Sequence, residues 1–139
     1  MATLDHVALT VKDLGEAVKF YSEVLGFQVL KVKKKPELGV AYALLQAGQA
    51  VLEIISPLKG KPLTQKPAGE GLEGVTAKLC GRAGFNHISL RVENLEEACE
   101  RLKGRGVKIL MELKPGGGGS KLAFFTDPEG NLVELVEKP

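Results

Sequence analysis

The sequence predicts an α+β fold built from two tandem modules, each with the element order βαβββ. Two observations lead to this prediction. The first half of the chain is repeated in the second half at an offset of 81 residues. In each half, an alternating run is followed by a helix-start signal and then by three strand-like segments.

The repeat is clearest at the start of each half. Residues 4–17 (LDHVALTVKDLGEA) align with residues 85–98 (FNHISLRVENLEEA), so that His6 matches His87. Later in each half Glu53 matches Glu134, and the interval from histidine to glutamate is 47 residues in both copies. Such self-similarity indicates a duplicated folding unit.

Each half opens with a strand and continues with a helix. Residues 4–11 and 85–92 alternate with a period of two, so each histidine lies on the face opposite the apolar residues. Asp13 and Asn94 suit the N-cap positions of the following helices. Gly26 is expected to end the first helix, and Gly104 or Gly106 the second.

Three further strands are predicted in each half. They are residues 27–33, 40–46 and 50–56 in the first half, and residues 107–113, 121–126 and 132–137 in the second. The turn at 126–131 is a hairpin signal. We therefore expect a single domain over residues 1–139, with module 1 at 1–57, module 2 at 85–139, and a connection at 58–84 that has a short helix near 73–78.

Composition excludes several classes of function. A net charge of +2 is too small for a nucleic-acid-binding surface, and the basic run at 31–35 is typical of a solvated hairpin end. The apolar stretches have the length of strands, which predicts no membrane association, and the N-terminus has no secretory signal. Two cysteines are too few for a disulfide framework, so we expect a cytoplasmic protein.

The repeated histidines and glutamates predict a metal site. Both glutamates are flanked by apolar residues in the last strand of each half, where a carboxylate is costly unless it is paired or bound to a cation. We expect His6, Glu53, His87 and Glu134 to converge on one divalent ion in a cup between the modules. Two imidazoles and two carboxylates suit Ni²⁺, Co²⁺, Zn²⁺, Mn²⁺ or Fe²⁺. A repeated cross-strand His–Glu pair without metal is the alternative.

Several motifs resemble the vicinal-oxygen-chelate superfamily, which includes glyoxalase I, methylmalonyl-CoA epimerase, extradiol dioxygenases and bleomycin resistance proteins. The matching segments are residues 4–8, 20–21, 25–27, 86–88 and 125–134. The resemblance implies a half-open curved sheet around a central metal cup. It also implies metal ligands at the positions of the two histidines and two glutamates.

A complete four-ligand set resembles the glyoxalase I and epimerase branches. That resemblance implies a lyase or isomerase that transfers a proton beside a metal-bound carbonyl through an enediolate. Glu134 is the first choice for the catalytic base and Glu53 the second. An iron-dependent dioxygenase and a non-catalytic binding or resistance protein are the alternatives.

Other positions bear on the substrate. Thr10 and Pro57 replace the arginine and asparagine with which glyoxalase I binds glutathione, and Asn86 replaces a histidine common in epimerases. Tyr42 stands where some epimerases have a second carboxylate, and we expect it to contact substrate. Arg91 shares the inward parity of His87 and would bind a small anionic substrate. We expect the protein to be a homodimer.

Overall fold

The structure is a computed structural model that describes residues 4–59, 67–81, 85–115 and 119–139. The chain divides into two compact units, Met1–Thr64 and Gln65–Pro139. The boundary falls within the predicted connection at 58–84, and residues 60–66 and 82–84 of that connection lie outside the described residues.

The first unit contains a four-stranded mixed sheet with the strand order β1-β4-β3-β2. Its elements in chain order are β1 (Val7–Thr10), α1 (Leu14–Lys19), a π-helical turn (Phe20–Val24), β2 (Gln28–Lys35), a short 3-10 helix (Pro36–Leu38), β3 (Val40–Ala47) and β4 (Ala50–Pro57). Strand β1 pairs with β4 in parallel, and the other pairs are antiparallel. All eight residues of the outer strand β2 are exposed.

One face of the first sheet forms the core of this unit. Helix α1 packs on β3 and β4, and Ala17, Leu45 and Ile54 are fully buried. Because side chains alternate along a strand, the opposite face carries His6 and Glu53. The sequence prediction that His6 lies on the face opposite the apolar residues of its strand is therefore confirmed in this unit.

The first helix differs from the sequence prediction of a continuous α-helix. It changes at Phe20 to a wider π-helical turn, in which Leu25 N–H donates to Phe20 C=O at 3.2 Å. Two successive aromatic side chains, Phe20 and Tyr21, are buried by this turn, and Tyr21 contacts the ring of Phe27. Gly26 ends the helix with φ +78°, as the sequence predicted.

The second unit contains a sheet with the corresponding strand order, β5-β8-β7-β6. Its elements are α2 (Gly71–Cys80), β5 (His87–Arg91), α3 (Leu95–Gly104), β6 (Met111–Leu113), β7 (Lys121–Thr126) and β8 (Leu132–Glu137). Strand β5 pairs with β8 in parallel, as β1 does with β4. The strand predicted at 107–113 is shorter than expected, because only its last three residues pair with β7.

Helices pack on both faces of the second sheet. Helix α3 packs on β7 and β8 through four buried side chains, Leu95, Ala98, Cys99 and Leu102. Helix α2, the helix expected near residues 73–78, packs beside β6, and its Val75 forms a buried cluster with Phe124 and Leu132. Phe124 lies directly opposite Glu134, so α2 covers part of the face that carries this glutamate.

The α+β class and the two four-stranded mixed sheets agree with the sequence prediction. Among the described residues, no helix has the length and apolar character needed to cross a membrane.

Candidate metal centre

In the first unit, His6 and Glu53 lie side by side. Glu53 in β4 is the parallel partner of Ala8, and His6 precedes Ala8 by two residues on the same face. The distance from His6 Nε2 to Glu53 Oε2 is 3.4 Å, and the side chains are 40% and 22% exposed. Both side chains are thus open to a ligand on the sheet face that α1 does not cover.

In the second unit, His87 and Glu134 repeat this arrangement. Glu134 in β8 is the parallel partner of Ser89, again two residues after the histidine. The distance from His87 Nε2 to Glu134 Oε2 is 3.7 Å, and the side chains are 31% and 16% exposed. The ring of Phe124 meets the His87 ring edge-on, with 5.5 Å between centroids. The second pair therefore lies in a more apolar environment than the first.

A polar turn holds the start of β8 in place. The buried carboxylate of Asp127 accepts hydrogen bonds from the backbone N–H groups of Glu129 and Asn131, both at 2.9 Å. It also accepts one from the Asn131 side-chain amide at 2.8 Å. Because β8 begins at Leu132, this turn fixes where Glu134 lies along the strand. The hairpin signal in the sequence is confirmed.

Each histidine has a polar partner on its other ring nitrogen. Asp5 Oδ2 lies 2.8 Å from His6 Nδ1, and Asn86 Oδ1 lies 2.5 Å from His87 Nδ1. The hydrogen bond to Asp5 raises the pKa of His6 above its ordinary value, burial opposes this shift, and the charge of Glu53 adds to it.

Both pairs have the donor chemistry of metal ligands, and the first pair also has their spacing, which the second pair slightly exceeds. At 3.4 and 3.7 Å, nitrogen and oxygen are farther apart than in a good hydrogen bond. Two ligands about 2.1 Å from one ion, at right or tetrahedral angles, would lie about 3.0–3.4 Å apart. Among the described residues, no group of three or more His, Cys, Asp or Glu side chains is close enough to hold a metal. Each unit thus has one pair of candidate ligands.

Two further residues were expected to contact substrate. Arg91 ends β5 on the same face as His87 and Ser89, is exposed, and forms no ion pair with any residue that the structure describes. Tyr42 lies in β3 opposite Ile55, on the face of Glu53, with Lys35 Nζ 5.0 Å from its ring centroid. Arg91 thus lies on the sheet face of His87 and Glu134, and Tyr42 lies on the sheet face of His6 and Glu53.

Three features of the site went unrecognised at the sequence level: the ring contact from Phe124, the bond from Asn86, and the position of α2. The repeat held a signal for the second, since a polar residue precedes the histidine in both copies. No periodicity specifies which sheet face α2 covers, because that choice depends on tertiary packing.

Comparisons with known proteins agree with this architecture. The family model described as the Glyoxalase/Bleomycin resistance protein/Dioxygenase superfamily matches residues 3–135. Lactoylglutathione lyase of Salmonella typhimurium is 34% identical over 95% of this chain and 90% of its own length. Human mitochondrial methylmalonyl-CoA epimerase is 33% identical over 99% of this chain and 74% of its own length. The trypanothione-dependent glyoxalase I of Leishmania major matches with a TM-score of 0.73 and 25% identity, over 99% of this chain and 88% of that one.

Proposed function

We propose that this chain is a divalent-metal-dependent lyase or isomerase. The premise is that the chain belongs to the glyoxalase/bleomycin resistance protein/dioxygenase superfamily. The reaction would move a proton at a carbon atom next to a carbonyl group. Four ligands would hold one ion: His6, Glu53, His87 and Glu134. We also propose that the protein is a cytoplasmic homodimer, in which each site joins the first unit of one chain to the second unit of the same or of the other chain.

The repeated His–Glu pair carries this proposal. In both sheets the glutamate stands in the fourth strand of its unit, on the partner position two residues after the histidine. An ion pair that served only stability would not need the same register and the same ring nitrogen in both copies. A shared cation explains both, because the site then needs equivalent donors from each unit.

The metal ion and the two glutamates would have different roles in this reaction. A bound Ni²⁺, Co²⁺, Zn²⁺, Mn²⁺ or Fe²⁺ ion would polarise a substrate carbonyl and acidify the neighbouring C–H bond. Glu134 is the favoured base, because its carboxylate is the less exposed of the two and has apolar Phe124 beside it. Glu53 is the second choice, since it is more open to water.

The substrate is proposed to be a small anion, either an acid or a thioester. Arg91 provides a permanent positive charge on the face of His87, and no carboxylate among the described residues neutralises it. The ring of Tyr42 would contact the substrate on the sheet face of Glu53. Thr10, exposed at the end of β1, and Pro57, at the end of β4, offer no charged contact to a glutathione adduct. Epimerase-like chemistry on a thioester is therefore favoured over lactoylglutathione lyase chemistry.

Metal analysis is the first test. Protein purified without added metal should contain about one divalent ion per chain by elemental analysis, as a four-ligand site requires. His6→Ala and His87→Ala should each lose it. Glu100→Gln is the matched control, because this exposed glutamate of α3 pairs, within the described part of the chain, with Lys103, and its loss should leave the metal content unchanged. Retention of the ion by both histidine variants would refute the ligand set.

Deuterium exchange is the second test. Methylmalonyl-CoA and the hemithioacetal of glutathione and methylglyoxal are each incubated with the metal-loaded protein in D₂O. We expect exchange into the thioester. Oxygen consumption with Fe²⁺ and tolerance of Glu53→Gln would indicate an oxygenase instead. Tight binding without exchange or turnover would indicate a binding or resistance protein.

A further inference from the structure

The two candidate metal-ligating histidines share a hydrogen-bonding arrangement that has no assigned role. The residue immediately before each histidine places a side-chain oxygen at hydrogen-bond distance from Nδ1: Asp5 Oδ2 at 2.8 Å in the first unit and Asn86 Oδ1 at 2.5 Å in the second. The Nε2 atom of each ring faces a glutamate instead. The ring nitrogen near the polar neighbour and the ring nitrogen near the glutamate are thus distinct in both units.

The position of the ring proton in the second unit follows from the orientation of Asn86. The Asn86 amide Nδ2 donates to the backbone C=O of Leu79 at 3.1 Å, so Oδ1 is the atom that faces the imidazole. A carbonyl oxygen has no proton to give, and a lone pair on Nδ1 would repel it. Nδ1 of His87 must therefore carry the proton, which leaves the Nε2 lone pair directed toward Glu134.

The same conclusion holds in the first unit for a different reason. In the first unit the Asp5 carboxylate, whose side chain is 93% exposed, faces Nδ1 with an oxygen that can only accept. His6 Nδ1 must donate to it, and the lone pair of the neutral ring lies on Nε2. A metal can bind an imidazole nitrogen only through that lone pair.

We propose that Asp5 and Asn86 are positioning residues that hold both imidazoles with Nε2 as the metal-binding atom, and that Asn86 also ties helix α2 to the metal centre. The proposal rests on the proposed function, since it concerns the same site. Partners of this kind fix the tautomer and the ring orientation of a ligand, and their loss lowers metal affinity about 10–100-fold.

The two partners differ in what else they do. Asp5 is a carboxylate residue on the surface, and among the described residues its hydrogen-bonding partner is His6. Asn86 is neutral and bridges two elements, because its amide joins the last turn of α2 to the first residue of β5. A change in the position of α2 would consequently reach His87, whereas the first unit has no corresponding connection among its described residues.

Substitutions at Asn86 can separate the two roles. Asn86→Asp keeps an acceptor for His87 Nδ1 but replaces the donor to Leu79 C=O with an oxygen that repels it. Asn86→Ala removes both bonds. In the first unit, Asp5→Asn retains an acceptor and Asp5→Ala removes it. Circular dichroism and thermal unfolding establish that each variant is folded before its site is compared.

Side-chain nitrogen NMR tests the proposal without relying on activity. The chain has only two histidines, so a long-range ¹H–¹⁵N spectrum of the labelled, metal-free protein shows two imidazoles, and His6→Gln assigns them. At a pH above the titration range of imidazole, both rings should have a protonated Nδ1. Asn86→Ala should move only His87 toward the opposite tautomer, Asp5→Ala only His6, and Asn86→Asp should leave the tautomer of His87 unchanged.

Chelator competition then measures the effect on metal binding. Asn86→Ala and Asp5→Ala should each weaken Zn²⁺ binding about 10–100-fold, and Asp5→Asn should weaken it less than Asp5→Ala. A wild-type spectrum with Nε2 protonated in either ring, or alanine variants with unchanged tautomers and affinity, would overturn the proposal. Correct tautomers in a protein that binds no divalent metal would instead refute the proposed function.

Discussion

The two units repeat one frame but differ in what covers the sheet face that holds the His–Glu pair. In the first unit α1 packs on the opposite face, and no second helix of at least two turns is described within that unit on the face of Glu53. In the second unit α3 occupies the corresponding position to α1, while α2 packs on the face of Glu134. The exposed fractions follow this difference, at 22% for Glu53 and 16% for Glu134.

The two units share the features that duplication copied, and they differ by a helix that the connecting segment adds. Strand order, register, helix caps and the ligand pair are common to both units. Helix α2 comes from the segment between the repeats and belongs only to the second unit. One copy of the pair thereby becomes more apolar, and two identical carboxylates acquire environments suited to different roles.

The largest expected difference is between the deuterium-exchange rates of variants at the two glutamates. Glu134→Gln should slow deuterium exchange by about 10²–10⁴-fold, the usual contribution of a general base. Glu53→Gln should act mainly by weakening metal binding, so saturating metal should restore much of its exchange. Exchange rates are measured with metal at several concentrations. Exchange that survives Glu134→Gln would exclude our choice of base, and Glu100→Gln again serves as the unaffected control.

The next effect concerns the residue opposite each glutamate. Phe124→Ala should lower the free energy of unfolding by about 3–5 kcal/mol, because it leaves a cavity beneath α2. Leu44, which lies opposite Glu53, is half-buried, and Leu44→Ala should cost less than about 2 kcal/mol, the lower limit for buried leucines. Urea denaturation measures both. Equal costs would show that α2 adds no packing to its sheet face.

The helix caps should show where the units are alike. Asp13 accepts from Glu16 N–H at 3.0 Å, and Asn94 accepts from Glu97 N–H at 2.9 Å. Asp13→Ala and Asn94→Ala should each lower the free energy of unfolding by about 1 kcal/mol. Serine at either position should restore most of the loss. A clearly unequal pair of values would mean that the caps, too, have diverged.

The smallest effect is a pH dependence at Glu137, a position of the second unit whose repeat-mate in the first unit does not titrate. Glu137 accepts from Leu95 N–H at 2.7 Å and from Lys121 Nζ at 3.1 Å, and these bonds lower its pKa. A lowered folded pKa stabilises the protein above the ordinary glutamate pKa and ceases to do so as the pH falls through the folded value. Glu137→Gln should therefore lower Tm clearly at neutral pH and much less at a pH below the folded pKa of Glu137.

The repeat-mate of Glu137 is Ser56, whose Oγ donates to Lys12 C=O at 3.0 Å. Since a hydroxyl does not titrate in this range, Ser56→Ala should lower Tm by the same amount at both pH values. A pH-dependent loss in Ser56→Ala would contradict this assignment of the two positions.

Much of this arrangement could be predicted from the sequence because it depends on periodicity within one repeat. The alternation around His6 and His87 gave their sheet face, and the constant interval to Glu53 and Glu134 gave the partner strand. The π-helical turn at Phe20 could not be predicted, since it depends on how two aromatic rings fit the core. The sheet face that α2 covers could not be predicted either. It depends on contacts of Val75 with Phe124 and Leu132, which are distant from Val75 in the sequence.

The outer strand β2 has a consequence for the protein's behaviour at high concentration. Its free edge offers unpaired peptide groups to any other extended chain. Four lysines, Lys31, Lys33, Lys34 and Lys35, occupy this strand, and all are exposed. Two such edges approaching in parallel register would bring the like charges of residues 31–35 together. We therefore expect the basic segment to oppose edge-to-edge pairing of β2 with another copy of this strand.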